Sequence, residues 1–410
     1  MQIERRIRQP ALMLVVCVLM AVVFVATGCS PGVMPPDPGG RGESWTVMVF
    51  VNADNNLEKF GWEDLRSMEM VGSTSRINIV AQFDTYTGSA RRYHIQKSSD
   101  MSWISAVSSP ILQELGEVNM GDPSTLVDFV RFSVERFPAD KYALIVWNHG
   151  TGFKRPVRNI SFDDTFNDSI TIPELGWALS QATGYTGRPI EFLGLDACVM
   201  NLVEVAYEVS PYVRVMVASQ ENEPAQGWDY YQWLSQLTAK PFMEGFELAR
   251  VVVDAYMSFY SYGSVTLSAV DLGKMNRLAD ALDHFAMAVM SDTKTSFSVY
   301  RSIRDSAFST QGDSDYVDLI DFLNLVLSDG RVTSPSVREA AQNALQEAQS
   351  AVFYNRTGAV FAGKAHGIGI YLPHGAYHGS YDHLAFTHDT AWDSMLHALG
   401  MGKQVAVGAK

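Results

Sequence analysis

Cys198 and His149 are the pair of residues in this sequence best suited to nucleophilic chemistry. The chain has three cysteines, of which Cys17 falls in the expected signal segment and Cys29 would carry a lipid. Cys198 is then the one thiol of the mature domain, so it has no partner for an internal disulfide. A thiol attacks as its thiolate, which a neighbouring histidine and a helix N-terminus both favour. Cys198 follows an apolar run, Ile190 to Leu195, and His149 follows another, Tyr142 to Trp147. The spacing predicts a helix that begins at Cys198 or just after it and ends near Val209. The backbone N–H groups of Gly150 and Cys198 are placed to face a substrate carbonyl as an oxyanion hole. Glycine at 150 lets the main chain approach without a Cβ in the way. Spacing alone leaves the alternative open that Cys198 is a small buried hydrophobe and His149 a satisfied loop residue.

The elements that must position these residues alternate between apolar runs and helical patterns. Strands are predicted at 46–51, 77–83, 142–147, 190–195 and 213–218, with helices at 57–71, 124–136 and 172–181. A polar hairpin is expected around 92–103. The second half reads as helices at 241–259, 275–290, 316–327 and 337–353, with strands at 265–270 and 367–372. Continuous Val/Ile/Leu strands between helices predict an α/β fold with a mainly parallel sheet covered on both faces. In such sheets the site lies beyond the carboxyl ends of the strands. His149 and Cys198 would then share one rim.

The chain starts with Arg5, Arg6 and Arg8, then an apolar stretch from Ala11 to Val25. Ala26-Thr27-Gly28-Cys29 has the form of a bacterial lipobox, with Cys29 the lipidated residue after cleavage. An uncleaved membrane anchor is the alternative, and both place the remainder outside the cytoplasm. The Pro/Gly-rich segment 29–44 reads as a semi-rigid tether. The expected organisation is a signal at 1–28, the tether at 29–44, a catalytic region at 45–240 and a closely packed portion at 241–410. A hydrophobic content of 47% with 19% charged residues is that of a globular chain. A net charge of −14 argues against a nucleic-acid partner.

Val51-Asn52-Ala53-Asp54-Asn55-Asn56-Leu57-Glu58, Trp147-Asn148-His149-Gly150 and Leu195-Asp196-Ala197-Cys198 together resemble the clostripain family of cysteine peptidases. Gly121-Asp122-Pro123, Gly227-Trp228-Asp229-Tyr230, Tyr316-Val317-Asp318-Leu319 and Gly369-Ile370-Tyr371-Leu372-Pro373 extend the similarity from about Trp45 to Leu399. The resemblance implies a caspase-like α/β fold and a His149/Cys198 dyad. It also implies cleavage after Arg or Lys, with Asp196 in the pocket for that side chain. Glu221, Glu223 and Asp229 are candidates for a second pocket acid, Gln226 standing where a carboxylate would suit. Family members are often cut between the dyad residues, and Lys154, Arg155 and Arg158 offer basic sites there.

No cofactor is required by the sequence, although the resemblance implies calcium as an activator. Asp163, Asp164, Asn167 and Asp168 are oxygen donors for such an ion, without an EF-hand pattern. His366, His374, His378, His383 and His388 lack zinc-ligand spacing and read as surface residues. No glycine-rich phosphate loop and no Gly-x-Ser-x-Gly elbow is found. The expected activity is that of an exported, lipid-anchored endopeptidase acting on Arg/Lys-containing proteins or peptides. A non-catalytic lipoprotein that binds basic peptides is the reading from another class.

Overall fold

A computed structural model describes residues 44–98, 100, 106–154 and 159–401. The leader, Cys29 and nearly all of the tether lie outside the described residues.

The chain runs through β1 (Trp45–Ala53), α1 (Glu58–Val71), β2 (Ile77–Thr85), β3 (Gly88–His94) and β4 (Ile111–Gly116). It continues as α2 (Pro123–Arg136), β5 (Lys141–Trp147), β6 (Ile160–Asp163), β7 (Asp168–Ile170), α3 (Ile172–Thr186) and β8 (Ile190–Asp196). Then come α4 (Val203–Val209), β9 (Val213–Ala218), α5 (Tyr230–Ala239), α6 (Gly245–Tyr260) and β10 (Thr266–Asp271). The remainder is α7 (Met275–Met290), α8 (Phe297–Ser306), β11 (Tyr316–Asp318), α9 (Leu319–Ser328), α10 (Pro335–Ala351), β12 (Val352–Thr357), β13 (Gly369–Tyr371), α11 (Ala385–Asp389) and α12 (Trp392–Ala398).

Nine strands form the main sheet in the order β12-β10-β9-β8-β5-β1-β2-β3-β4. The five in the middle, from β9 to β2, are parallel, and both margins are antiparallel. Every residue of β1 is buried, because its two faces enter two different cores. Met48 and Phe50 pack among residues of α2, α3, α7 and α10. Val47, Val49 and Val51 pack among residues of α1, α5 and α6. A strand buried on both sides carries an unbroken apolar run rather than an alternating one, which is why the sequence marked these strands clearly.

The C-terminal half departs from the expected elements at several places. Tyr316–Asp318 is a strand before α9 rather than the helix start, and it pairs with β13 in a separate two-stranded sheet. The helix predicted to reach residue 353 stops at Ala351, and Val352–Thr357 forms the outer strand of the main sheet. α5, α8, α11 and α12 were not anticipated. β10 and β12 lie beyond residue 240 yet belong to the same sheet as the site-bearing strands.

Candidate active site

β5 and β8 are adjacent and parallel, with Trp147 opposite Asp196 in register. His149 and Cys198 each follow that register pair by two residues, so they leave the sheet at one height on one rim. Both line a cavity of about 110 Å³ together with Leu57, Trp147, Asp196, Glu223 and Gly227.

The turn carrying His149 is pinned by its neighbour. Asn148 is buried, and its Nδ2 donates to the Asn52 carbonyl at 2.6 Å and the Phe162 carbonyl at 3.0 Å. Its Oδ1 accepts from the N–H groups of His149 at 2.6 Å and Phe162 at 2.9 Å. A fully satisfied buried amide of this kind fixes backbone direction. It ties the end of β5 to the end of β1 and to β6.

The His149 Nε2 lies 2.8 Å from the Oδ1 of Asn56. An amide oxygen only accepts, so in this pairing Nε2 donates its proton. Asn56 stands in the motif that the sequence comparison drew on, but its partner was not legible there. The available signal was its place beyond the end of a central strand, on the rim where His149 sits. Asn56→Ala should lower kcat roughly tenfold or more with little change in KM, by freeing the wrong tautomer. Asn56→Asp should move the acidic limb of the pH–rate profile upward, since a carboxylate stabilises the imidazolium. A profile unmoved in Asn56→Asp would leave Asn56 a loop residue only.

Cys198 sits in a tight turn, not at a helix start. Val199 has φ of 56°, a region that a β-branched residue adopts only when its surroundings hold it. The Val199 and Met200 N–H groups donate to the Glu221 and Ser219 carbonyls, which supply that hold. Helix α4 begins at Val203. The expected helix N-terminus at Cys198 is therefore absent, because the chain first completes these bonds to the segment after β9. A Cβ on Gly150 would lie 2.4 Å from the Cys198 carbonyl oxygen. Glycine is needed there so that the two turns can touch.

Burial pushes the Cys198 thiol up from its ordinary value, and the nearby Asp196 carboxyl adds to the rise. The Glu223 N–H, donating to Sγ at 3.2 Å, acts in the opposite direction. The thiol thus needs a base at neutral pH, and His149 lines the same cavity.

Beneath the thiol is a set of buried acids. Asp196 accepts from the Tyr230 hydroxyl at 2.9 Å and the Trp228 N–H at 3.3 Å. Glu223 accepts from the Trp228 indole N–H at 3.1 Å. The two carboxyls lie close enough to shift each other's protonation. Burial pushes Asp196 up to about 7 and raises Glu223 well above the usual carboxylate range, with the Asp196 charge next in effect on Glu223. Asp64, which accepts from the Trp147 indole N–H at 2.8 Å, is raised by burial and then by Asp196. No ion pair to these three acids is formed among the described residues. Gly227, at φ 58°, leaves room for the Asp196 carboxyl, since a Cβ there would lie 3.0 Å from its Oδ1.

The other candidates fall in different places. Glu221 accepts from the Gln311 N–H at 2.9 Å and does not line this cavity. Asp229 caps α5 and, with Gln226 and Asp64, lines a neighbouring cavity of about 230 Å³. Lys154 pairs with Asp313 at 2.7 Å and Asp315 at 2.6 Å and is nearly buried. Arg155 and Arg158 lie outside the described residues. His366 pairs with Asp318 and His374 with Asp305, two separate contacts rather than a shared site.

The clostripain family model matches residues 49–398. This chain belongs to the clostripain family. The clostripain-family chain is 27% identical to clostripain of Hathewaya histolytica over 198 residues, which is 42% of this chain and 37% of that one. It therefore spans well under half the length of that curated relative. A secreted C11 cysteine protease from Bacteroides thetaiotaomicron, solved with an irreversible peptide inhibitor, superposes with a TM-score of 0.65 at 19% identity. That match covers 87% of this chain and 99% of the other. An inactive zymogen C11 protease from Parabacteroides distasonis gives the same score and coverage at 18% identity. At these identities the likeness speaks for the fold, which is the mainly parallel, helix-flanked α/β arrangement anticipated from the strand pattern.

Proposed function

We propose that this chain is a cysteine endopeptidase that cleaves after Arg or Lys and acts outside the cytoplasm from a lipid anchor at Cys29. The observation that carries the reading is one cavity lined by His149, Cys198, Asp196 and Glu223.

His149 takes the proton of Cys198 Sγ as the sulfur attacks the substrate carbonyl carbon. The backbone N–H groups of Gly150 and Cys198 stabilise the oxyanion of the tetrahedral intermediate. Collapse breaks the C–N bond, and His149 returns the proton to the leaving amine, giving a thioester. Water, deprotonated by His149, attacks the thioester and releases the acid and the thiol. The side chain before the scissile bond enters the cavity, where a guanidinium meets Asp196 and Glu223. A planar fork suits two adjacent carboxyls through parallel hydrogen bonds. Its charge also offsets the negative field that raises the Cys198 thiol, so substrate binding favours the thiolate.

A panel of fluorogenic peptides differing only in that residue tests the reading. Arg and Lys should be cleaved, and Asp, Asn and Leu should not. Preference for Leu or Asp would overturn the pocket assignment. Failure of a thiol-reactive peptide probe to label Cys198 would leave a non-catalytic binder of basic peptides.

Anchoring is tested separately. No helix among the described residues is long and apolar enough to cross a membrane. Cys29→Ser should abolish incorporation of labelled lipid and move the protein into the soluble fraction. Unchanged membrane retention would point to an uncleaved leader instead.

A further inference from the structure

Beside the cavity that holds the dyad lies a second one, of about 230 Å³, lined by neither His149 nor Cys198. The two abut at Gly227, which lines both. Gly227 and Trp228 form the partition, and hydrogen bonds hold it from either direction. The Trp228 N–H donates to Asp196, which lines the dyad cavity, at 3.3 Å. The hydroxyl of Tyr260, which lines the second cavity, donates to the Gly227 carbonyl at 3.1 Å. The Tyr231 N–H donates to Ser67 Oγ at 2.9 Å, so the start of α5 is fixed to α1 across the floor.

The second cavity is aromatic in its walls and acidic in its polar lining. Tyr231, Phe259 and Tyr260 supply ring surface, and Phe259 is 62% exposed. Aromatic surface left open to water and grouped in one patch marks a contact surface. Glu63, Asp64 and Asp229 supply carboxyls, and no lysine or arginine lines the cavity. Glu63 pairs with the exposed Lys59 at 3.5 Å. Asp64 and Asp229 form no ion pair among the described residues. Asp64 accepts only from neutral Trp147, at 2.8 Å, and Asp229 from the Gln232 N–H at 3.0 Å. Burial raises both acids above their ordinary values, and the Asp196 charge is the next cause for Asp64. A cation placed beside them would offset that rise.

We propose that this cavity is a second substrate subsite, which takes another Arg or Lys side chain of the same peptide, within three residues of the scissile bond. The inference rests on the dyad cavity being the pocket for the basic side chain at the cut. Ring faces attract cations, the more so where water is excluded, and the carboxyls add charge-assisted hydrogen bonds. An acidic side chain would find neither. The cavity has about twice the volume of the one assigned to the first basic side chain, so a second fits. Side chains of an extended peptide follow one another at about 3.4 Å per residue. A peptide seated in one cavity therefore presents a near neighbour to the other, across Gly227. Selection then falls on paired basic residues, a narrower set of cleavage sites than single ones.

The test is a peptide series with Arg fixed before the cut. A second Arg is moved through the three positions on each side, alanine filling the rest, and products are identified by mass. At one position Arg should raise kcat/KM roughly tenfold or more over alanine, and glutamate there should lower it. In Asp229→Asn and in Asp64→Asn the Arg-to-alanine ratio at that position should fall to roughly threefold or less. Asparagine caps α5 as aspartate does, and either variant suffices if the other does not fold. No gain at any position, an equal gain at all of them, or a ratio unmoved in the folded variants would overturn the subsite. Failure of the dyad-cavity assignment looks different, because no peptide would then be cut after the fixed Arg. In that event the Cys198→Ala chain is titrated calorimetrically with the same peptides. One second-Arg peptide should still bind roughly tenfold more tightly than its alanine counterpart, and equal affinities throughout would overturn the subsite as well.

Discussion

Cys198→Ala should remove turnover of every peptide substrate, by about five orders of magnitude or more in kcat. The size follows from the role of the residue. With the thiol gone there is no covalent intermediate, and the His149 base has no proton to take. Removal of a nucleophile in comparable hydrolase machinery costs about a millionfold, leaving only what the oxyanion donors and binding contribute. His149→Ala should cost nearly as much, and the double variant no more than either, because the two act as a unit. The distinguishing readout is binding. Cys198→Ala should still retain an Arg-containing peptide with affinity close to the parent's KM, since Asp196 and Glu223 are untouched. Residual thiol-independent turnover above one part in about 10⁴ would show that another group attacks the carbonyl.

Asp196→Asn should lower kcat/KM for Arg substrates by roughly a hundredfold. Removing one side of a buried charge pair typically costs about 3–5 kcal/mol, and about 1.4 kcal/mol corresponds to tenfold in rate. The lower end of that range applies, because Glu223 remains beside the cation. Asp196→Asn combined with Glu223→Gln should therefore lose more than either change alone. Cys198 should still react with a small alkylating agent in both, at least as fast as in the parent, since the Asp196 charge that raises the thiol is gone. The folded protein should not suffer. Burial raises Asp196 above its unfolded value, so its ionisation costs stability as pH rises from about 4 to about 7. An amide there removes that cost, and Tm at pH 8 should be equal or higher.

The same shift sets a pH dependence. An acid that must ionise to meet a guanidinium is half protonated at about 7. For the Arg substrate, kcat/KM should fall as pH drops through that value, and the fall should flatten in Asp196→Asn. A limb unchanged by the substitution would assign it to His149 instead.

Much of the site was legible in the sequence for a specific reason. β5 and β8 are buried on both faces, so each reads as an unbroken apolar run, and the polar residues at their ends stand out. Cys198 is the one cysteine of the sequence outside the first 29 residues, which singled it out before any fold was known. The periodicity of α2 and α7 likewise gave their bounds to within a residue.

Other elements were not legible because their identity depends on neighbours distant in the chain. Val352–Thr357 continues the apolar pattern of α10, and only pairing with β10 makes it a strand. Glu221, Glu223 and Asp229 were equivalent candidates by position. Of the three, Glu223 alone lines the cavity with Asp196. Asn56 meets His149 across 93 residues, and the Asp54, Asp84 and Asp163 carboxyls meet across three strands. The local sequence determined which residues have the chemistry and which strand ends carry them. Contacts made only when β1, β2, β5 and β8 align decided which side chains face one another, because hydrogen bonds and charge interactions act through space over a few ångströms, whatever the separation along the chain.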